Sequence, residues 1–214
     1  MESYAVIGLG RFGSAMAQEL MAAGCEVLAV DQDEEKVQRL AESVTDAVVA
    51  DARDEAVLHS LGIRNYDCGV VAIGSDVAAS ILITLLLKEA GVAKLVCKAS
   101  DDIHKKALLR VGADRVVIPE KEMAGRVARS LATPNVMDYI ELSDQFAIVE
   151  RSVPESWIGK SLKELNVRNK YGLSVIGFRR SGKTIVSPDP AAPIARGDVL
   201  IVLGREDDLA RLKK

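Results

Sequence analysis

The apolar run Ala5-Val6-Ile7 passes directly into Gly8-Leu9-Gly10-Arg11-Phe12-Gly13, and the next residues, Ser14 to Ala23, carry apolar side chains at helical spacing. A strand, a glycine-rich turn and a helix in that order leave few folds open to a chain. Each glycine answers a separate steric demand: Gly8 permits the tight turn, Gly10 lets a ligand atom approach the backbone, and Gly13 lets the helix pack closely. The first N–H groups of the helix have no partner within it, so its start suits an anion such as a phosphate.

Up to residue 118, short β-branched runs alternate with longer helical stretches, the pattern of repeated βα units and hence of a parallel sheet covered on both faces. Strands are expected over residues 4–8, 26–31, 47–50, 68–73, 94–98 and 115–118, and each is nearly all apolar. Helical periodicity falls over residues 12–23, 34–42, 55–61, 77–90 and 103–111, and Gly24, Gly62, Gly91 and Gly112 come directly after four of these stretches as helix-ending residues. The expected fold is therefore α/β: a Rossmann-like six-stranded parallel sheet built from two mononucleotide-binding halves.

One more helix, residues 120–132, places Met123, Val127 and Leu131 on a single stripe and stops at Thr133-Pro134-Asn135. Beyond it the pattern becomes a small α+β lobe. Strands are expected at 145–151, 174–180, 184–187 and 199–203, with helices at 162–165 and from Glu206, and Ser181-Gly182-Lys183 reads as a hairpin turn. The expected domains are 1–133, including the helix 120–132, then a linker at 134–145 and a C-terminal domain at 146–214.

The candidate site gathers the residues just past each strand, at the carboxyl edge of the sheet, where open α/β sheets bind ligands. The glycine loop contributes Gly8, Gly10, Arg11, Phe12 and Gly13. Asp31 ends the second strand, placed to accept hydrogen bonds from ribose hydroxyls and to repel a 2′-phosphate, which disfavours NADP; it also fits a helix cap, a role that Gln32 or Asp33 can equally fill. Asp51 and Ala52 come after the third strand, where Asp51 fits either a reader of the adenine amino group or an ordinary cap. Ile73 ends the fourth strand and Gly74 and Ser75 follow it; Lys98 ends the fifth and Ala99 and Ser100 follow, with His104 in the helix after it. Arg11 offers a bidentate fork to a terminal phosphate, which a bridging pyrophosphate does not require. Lys98 adds phosphate charge and Glu120 suits a divalent cation; taken singly, each also fits a solvated surface charge.

The 28 basic and 31 acidic side chains are interspersed, with a net charge of −3, so no basic stripe marks a nucleic-acid surface. The run Val77 to Leu87 is well short of the roughly 20 residues that span a bilayer. No signal-like segment precedes the first strand, which points to the cytosol. Cys25, Cys68 and Cys97, odd in number and far apart, read as reduced core thiols. With only His59 and His104 as histidines, and no G-x-S-x-G elbow or P-loop, binding without turnover is the simpler expectation, and the site carries no catalytic residue.

Several segments resemble one family. Residues 5–13, Leu28-Ala29-Val30-Asp31, Val71-Ala72-Ile73-Gly74, Gly112-Ala113-Asp114-Arg115 and Ile118-Pro119-Glu120 are similar to the regulators of Ktr-type potassium uptake systems, RCK proteins with TrkA-N and TrkA-C domains. The similarity continues through residues 135–143 and 165–172. The resemblance implies a nucleotide-sensing N-lobe, a crossover helix and a C-lobe. It also implies homodimers assembled into an octameric ring, cytoplasmic and held at the inner face of the membrane by a potassium-translocating subunit of Ktr or Trk type. It implies binding of ATP or ADP with opposite effects on transport. Arg11 would reach the γ-phosphate of a neighbour's ATP, and Glu120 would hold Mg2+ or another cation there. Asp31, Asp51, Gly74, Lys98 and His104 would line the pocket. In the C-lobe it implies a cyclic di-AMP site, with Arg168, Ile176 and Pro188 as candidates. The alternative from the glycine motif alone is NAD(H), in a redox sensor or an NAD-linked oxidoreductase.

Overall fold

The computed structural model describes residues 2–132, 136–143 and 145–211 and divides into two compact units, residues 1–120 and 121–214. In the first unit β1 (Ser3–Ile7), α1 (Arg11–Ala22), β2 (Glu26–Asp31), α2 (Glu34–Leu40), β3 (Asp46–Val49), α3 (Glu55–Ser60), β4 (Cys68–Val71), α4 (Val77–Glu89), β5 (Leu95–Lys98), α5 (Asp102–Arg110) and β6 (Arg115–Val117) succeed one another. The six strands are parallel and lie in the order β3-β2-β1-β4-β5-β6. β1 pairs with β2 on one side and β4 on the other, so the direction of winding reverses beside β1. This is the doubly wound arrangement expected from the alternating pattern.

Successive strand residues face opposite sides of the sheet, which splits the core into two layers. Ala5 and Ile7 of β1 join Leu28, Val30, Ile83, Leu87 and Leu108 on the face covered by α3, α4 and α5. Val6 joins Val27, Ala29, Ala17, Val37 and Leu40 on the face covered by α1 and α2. Cys68 and Cys97 are buried thiols and Cys25 is half-buried, all three free. Burial pushes the Cys97 thiol up to about 11, so it stays protonated and inert.

α6 (Pro119–Ala132) begins at the end of the first unit, and the second contains β7 (Val136–Ser143), β8 (Phe146–Ser152), α7 (Leu162–Leu165), α8 (Val167–Tyr171), β9 (Ser174–Arg180), β10 (Lys183–Val186), β11 (Val199–Arg205) and α9 (Glu206–Arg211). Its five-stranded antiparallel sheet runs β10-β9-β11-β8-β7. Alternation in β8 and β11 turns Ala147, Val149, Leu200 and Val202 inward against Trp157, Leu165, Leu173 and Leu209. Ser161 and Glu164 form a reciprocal capping box at the start of α7. Ser181 and Gly182 take φ of 50° and 78°, the geometry of the two-residue hairpin turn between β9 and β10.

Two expectations are corrected. The segment 134–145, read as a linker, holds β7, and the compact units part at residue 120, so most of the helix 120–132 falls in the second unit and not in the first domain. The helix stop at Thr133-Pro134-Asn135 lies outside the described residues. No helix among the described residues is long and apolar enough to cross a membrane.

Candidate functional site

The glycine loop is shaped by contacts that leave no room for side chains at two of its three positions. Gly8 has φ of 95°, and a Cβ on it would stand 2.8 Å from Ile73 Cγ1. A Cβ on Gly13 would stand 1.8 Å from the Gly8 carbonyl oxygen. Gly10 differs: it is exposed, has φ of −70°, and a Cβ there would meet nothing within 4 Å. Nothing in the chain's own packing calls for glycine at residue 10, whereas a phosphate seated on the start of α1 would. That helix start carries no side-chain cap and no acidic residue in its first turn, so its positive end is not neutralised by its own first turn.

Asp31, mostly sheltered at the end of β2, ties this loop to the sheet. Its Oδ2 accepts the Leu9 N–H at 2.6 Å, its Oδ1 accepts the Asp33 N–H at 2.9 Å, and Lys36 Nζ stands 3.8 Å away. Asp33 caps α2 by accepting from Glu35 and Lys36 N–H, so the cap role falls to Asp33 and Asp31 keeps acceptor capacity toward the sheet edge. Gln32 is exposed beside it, and its Oε1 lies 3.5 Å from Arg53 Nη2.

Asp51, just after β3, is held by Arg53, whose Nη2 donates to Oδ2 at 2.6 Å and whose Nε donates to Oδ1 at 2.9 Å. This pairing keeps the Asp51 carboxyl down at about 2. Arg53 and Lys36 are the polar groups at this edge that sequence reasoning did not place in the site. One sequence signal for Arg53 is its position two residues after an aspartate in a turn, where its own N–H also donates to Asp51 Oδ1 at 3.0 Å.

On the other side of the glycine loop, the Lys98 stem covers Gly74, its Cε 3.3 Å from where a Cβ would sit. Lys98 Nζ donates to Glu120 Oε1 at 2.7 Å and lies 5.9 Å from the centre of the Phe12 ring. The Glu120 carboxyl is held below its ordinary range chiefly by Lys98, with Arg11 adding through its charge. Arg11, Phe12, Lys98 and Glu120 thus converge beside the start of α1. Among the described residues no group of three or more His, Cys, Asp and Glu side chains could hold a metal ion, so a cation at Glu120 would draw its other ligands from phosphate oxygens and water.

The remaining candidates fall behind this edge or outside it. Ala52 and Ala99 are packed into the core, Ile73 and Gly74 are half-buried, and Ser75 and Ser100 are exposed. His104 is 2% exposed; its Nδ1 accepts the Ser100 N–H at 3.2 Å, its backbone N–H donates to Asp101, and its Nε2 is buried with no partner among the described residues. It braces the Ser100 turn from beneath, and burial pushes its pKa down. His59 is exposed on α3. In the second unit the Ile176 carbonyl accepts the N–H of Ser187, the residue before Pro188, at 3.0 Å at the open end of the β9–β10 hairpin, and Arg168 is exposed on α8.

Comparison with known proteins gives a consistent picture along the chain. The TrkA-N domain model matches residues 4–119 and the TrkA-C domain model residues 148–214. The chain is 44% identical over 213 residues to Ktr system potassium uptake protein C of Bacillus subtilis, covering all of this chain and 96% of that one. It is 39% identical to Ktr system potassium uptake protein A of Vibrio alginolyticus, again over all of this chain and 97% of that one. Among solved structures, the GsuK RCK domain superposes with a TM-score of 0.70 over 99% of this chain and 46% of that one at 20% identity, which establishes likeness of fold.

Proposed function

The chain belongs to the family of potassium uptake proteins that join a TrkA-N to a TrkA-C domain, and on that premise we propose that it is a non-catalytic regulatory subunit that binds ATP or ADP and gates a membrane potassium-translocating subunit. One observation carries the reading: the glycine cradle has a carboxylate on its β2 side and a cluster of Arg11, Lys98 and Glu120 on its β4–β6 side. A ribose on Asp31 and phosphates on Gly8 to Gly13 direct the end of a phosphate chain toward that cluster. Two cations and one carboxylate there suit a terminal phosphate with a divalent cation, Mg2+ or another, bridging its oxygens to Glu120.

The reading extends to assembly. In a homodimer built into an octameric ring, Arg11 of one subunit meets the γ-phosphate held by its neighbour, and ADP leaves it without that partner. Couplings of this kind are about 1–3 kcal/mol per site, and repetition around a symmetric ring adds them into a population shift between ring shapes. The subunit works at the inner face of the membrane through its partner. The C-terminal unit takes cyclic di-AMP between two copies at Arg168, Ile176 and Pro188. Neither histidine is placed to carry a proton at the site, since His59 is exposed on α3 and His104 is buried beneath the Ser100 turn.

Potassium flux through liposomes holding the translocating subunit and the full chain tests the proposal. Flux is expected to differ between ATP and ADP. Equal flux with both, together with a larger thermal stabilisation by NADH than by either adenylate, would favour a redox sensor instead.

A further inference from the structure

Arg53 stands in the turn after β3, on the side of the site away from the phosphate cluster, and its guanidinium is committed to Asp51. A carboxylate has about four acceptor directions. Oδ1 receives the Arg53 N–H and Nε, at 3.0 and 2.9 Å, and Oδ2 receives Nη2 at 2.6 Å, with Nε leaning toward it from the same side at 3.1 Å. Because the single Nε–H is shared by the two oxygens, three N–H groups serve about four directions, which leaves one on Oδ2. The Asp51 side chain is 45% exposed, so that direction is reachable from outside.

The strand order says what would reach it. Neighbouring strands lie about 4.8 Å apart, so the glycine loop after β1, Asp31 at the end of β2 and Asp51 after β3 are three successive marks along one edge. The Ala50 N–H donates to the Asp31 carbonyl at 3.0 Å, which fixes the last two marks together. With phosphates on the first mark and ribose on the second, the base lies over the third.

We propose that Arg53 is a positioning residue that makes the site selective for adenine, by clamping the Asp51 carboxylate so that its one open acceptor direction meets the exocyclic amino group of the base. The inference rests on the adenylate reading of the site. Guanine presents a carbonyl oxygen where adenine has that amino group, and a fixed carboxylate repels it. Without the clamp the Asp51 side chain turns freely in water, and selectivity falls. An exposed ion pair contributes little to stability by itself, so its removal should leave Tm nearly unchanged.

Dissociation constants of the full chain for ADP, GDP and the 5′-diphosphate of purine riboside, which lacks the amino group, test this in the wild type, Arg53→Ala and Arg53→Lys. The wild type is expected to prefer ADP over the purine riboside diphosphate by about tenfold. Arg53→Ala should bring that ratio within about twofold by weakening ADP alone, and Arg53→Lys, which lacks the fork, should fall between. A wild-type ratio that survives in Arg53→Ala overturns the proposal, as does a wild type that binds ADP without preferring it. A wild type that binds none of the three removes the adenylate reading itself and the proposal with it.

Discussion

Lys98 Nζ lies 2.7 Å from Glu120 Oε1, and the two ends of this pair meet solvent differently: the Lys98 side chain is 16% exposed and that of Glu120 64%. The cation is packed over Gly74 while the carboxylate faces outward, ionised at neutral pH as an ordinary carboxyl is, with Lys98 and Arg11 holding its pKa lower still. Glu120→Gln should therefore act with opposite sign in two conditions. Without divalent ions, loss of a negative charge beside the phosphates should tighten ATP binding by about two- to fivefold. With Mg2+, loss of a ligand to the ion should weaken it by about tenfold. Calorimetric titration with and without a chelator checks both, and the same effect in the two conditions would rule out a cation at Glu120.

The glycine loop supplies a contrast between folding and binding. Gly13→Ala places a methyl group 1.8 Å from the Gly8 carbonyl, and the β1–α1 turn must shift to admit it. A loss of about 2–4 kcal/mol in unfolding free energy is expected, together with loss of nucleotide binding. Gly10→Ala meets no atom within 4 Å and an ordinary φ of −70°. It should change stability by about 1 kcal/mol or less while weakening ATP and ADP by more than about tenfold. Thermal unfolding and equilibrium binding on the two variants separate these outcomes.

Acid sensitivity of the C-terminal unit should centre on Asp198. Its side chain is 1% exposed and accepts Arg180 Nε and Nη2, each at 2.7 Å, and the Ala195 N–H at 2.9 Å, which together hold its pKa below the ordinary value. A carboxyl with a depressed folded pKa contributes fully above its unfolded value, near 4, and loses that contribution as pH falls through the folded one. Asp198→Ala should lose about 2 kcal/mol at pH 7, a figure kept low because Arg180 is open to solvent. The gap to the wild type should narrow below about pH 4. Trp157, the single tryptophan, is buried in the same unit and reports its denaturant unfolding.

The first unit was legible in the sequence because each of its signals is local. The glycines of the β1–α1 turn answer steric demands within a few residues, and Asp31 is fixed by its place at a strand end. β7 was not legible. Its described apolar residues Met137, Ile140 and Leu142 are exposed and Tyr139 is buried, and its pairing with β8 carries register irregularities, so no inward-facing apolar alternation marks it as a strand. α8 is five residues long, too short to show a helical period, and joins α7 through Asn166 at φ of 46°. The clamp of Arg53 on Asp51 and the burial of His104 depend on side-chain placement, which spacing does not carry.

The most direct test of the account is the ratio of ATP to ADP dissociation constants in the assembled protein, wild type against Arg11→Ala. If Arg11 reads the terminal phosphate, the substitution weakens ATP by about tenfold or more and moves ADP by no more than about twofold. A loss shared equally by ATP and ADP, or no loss for either, would contradict it.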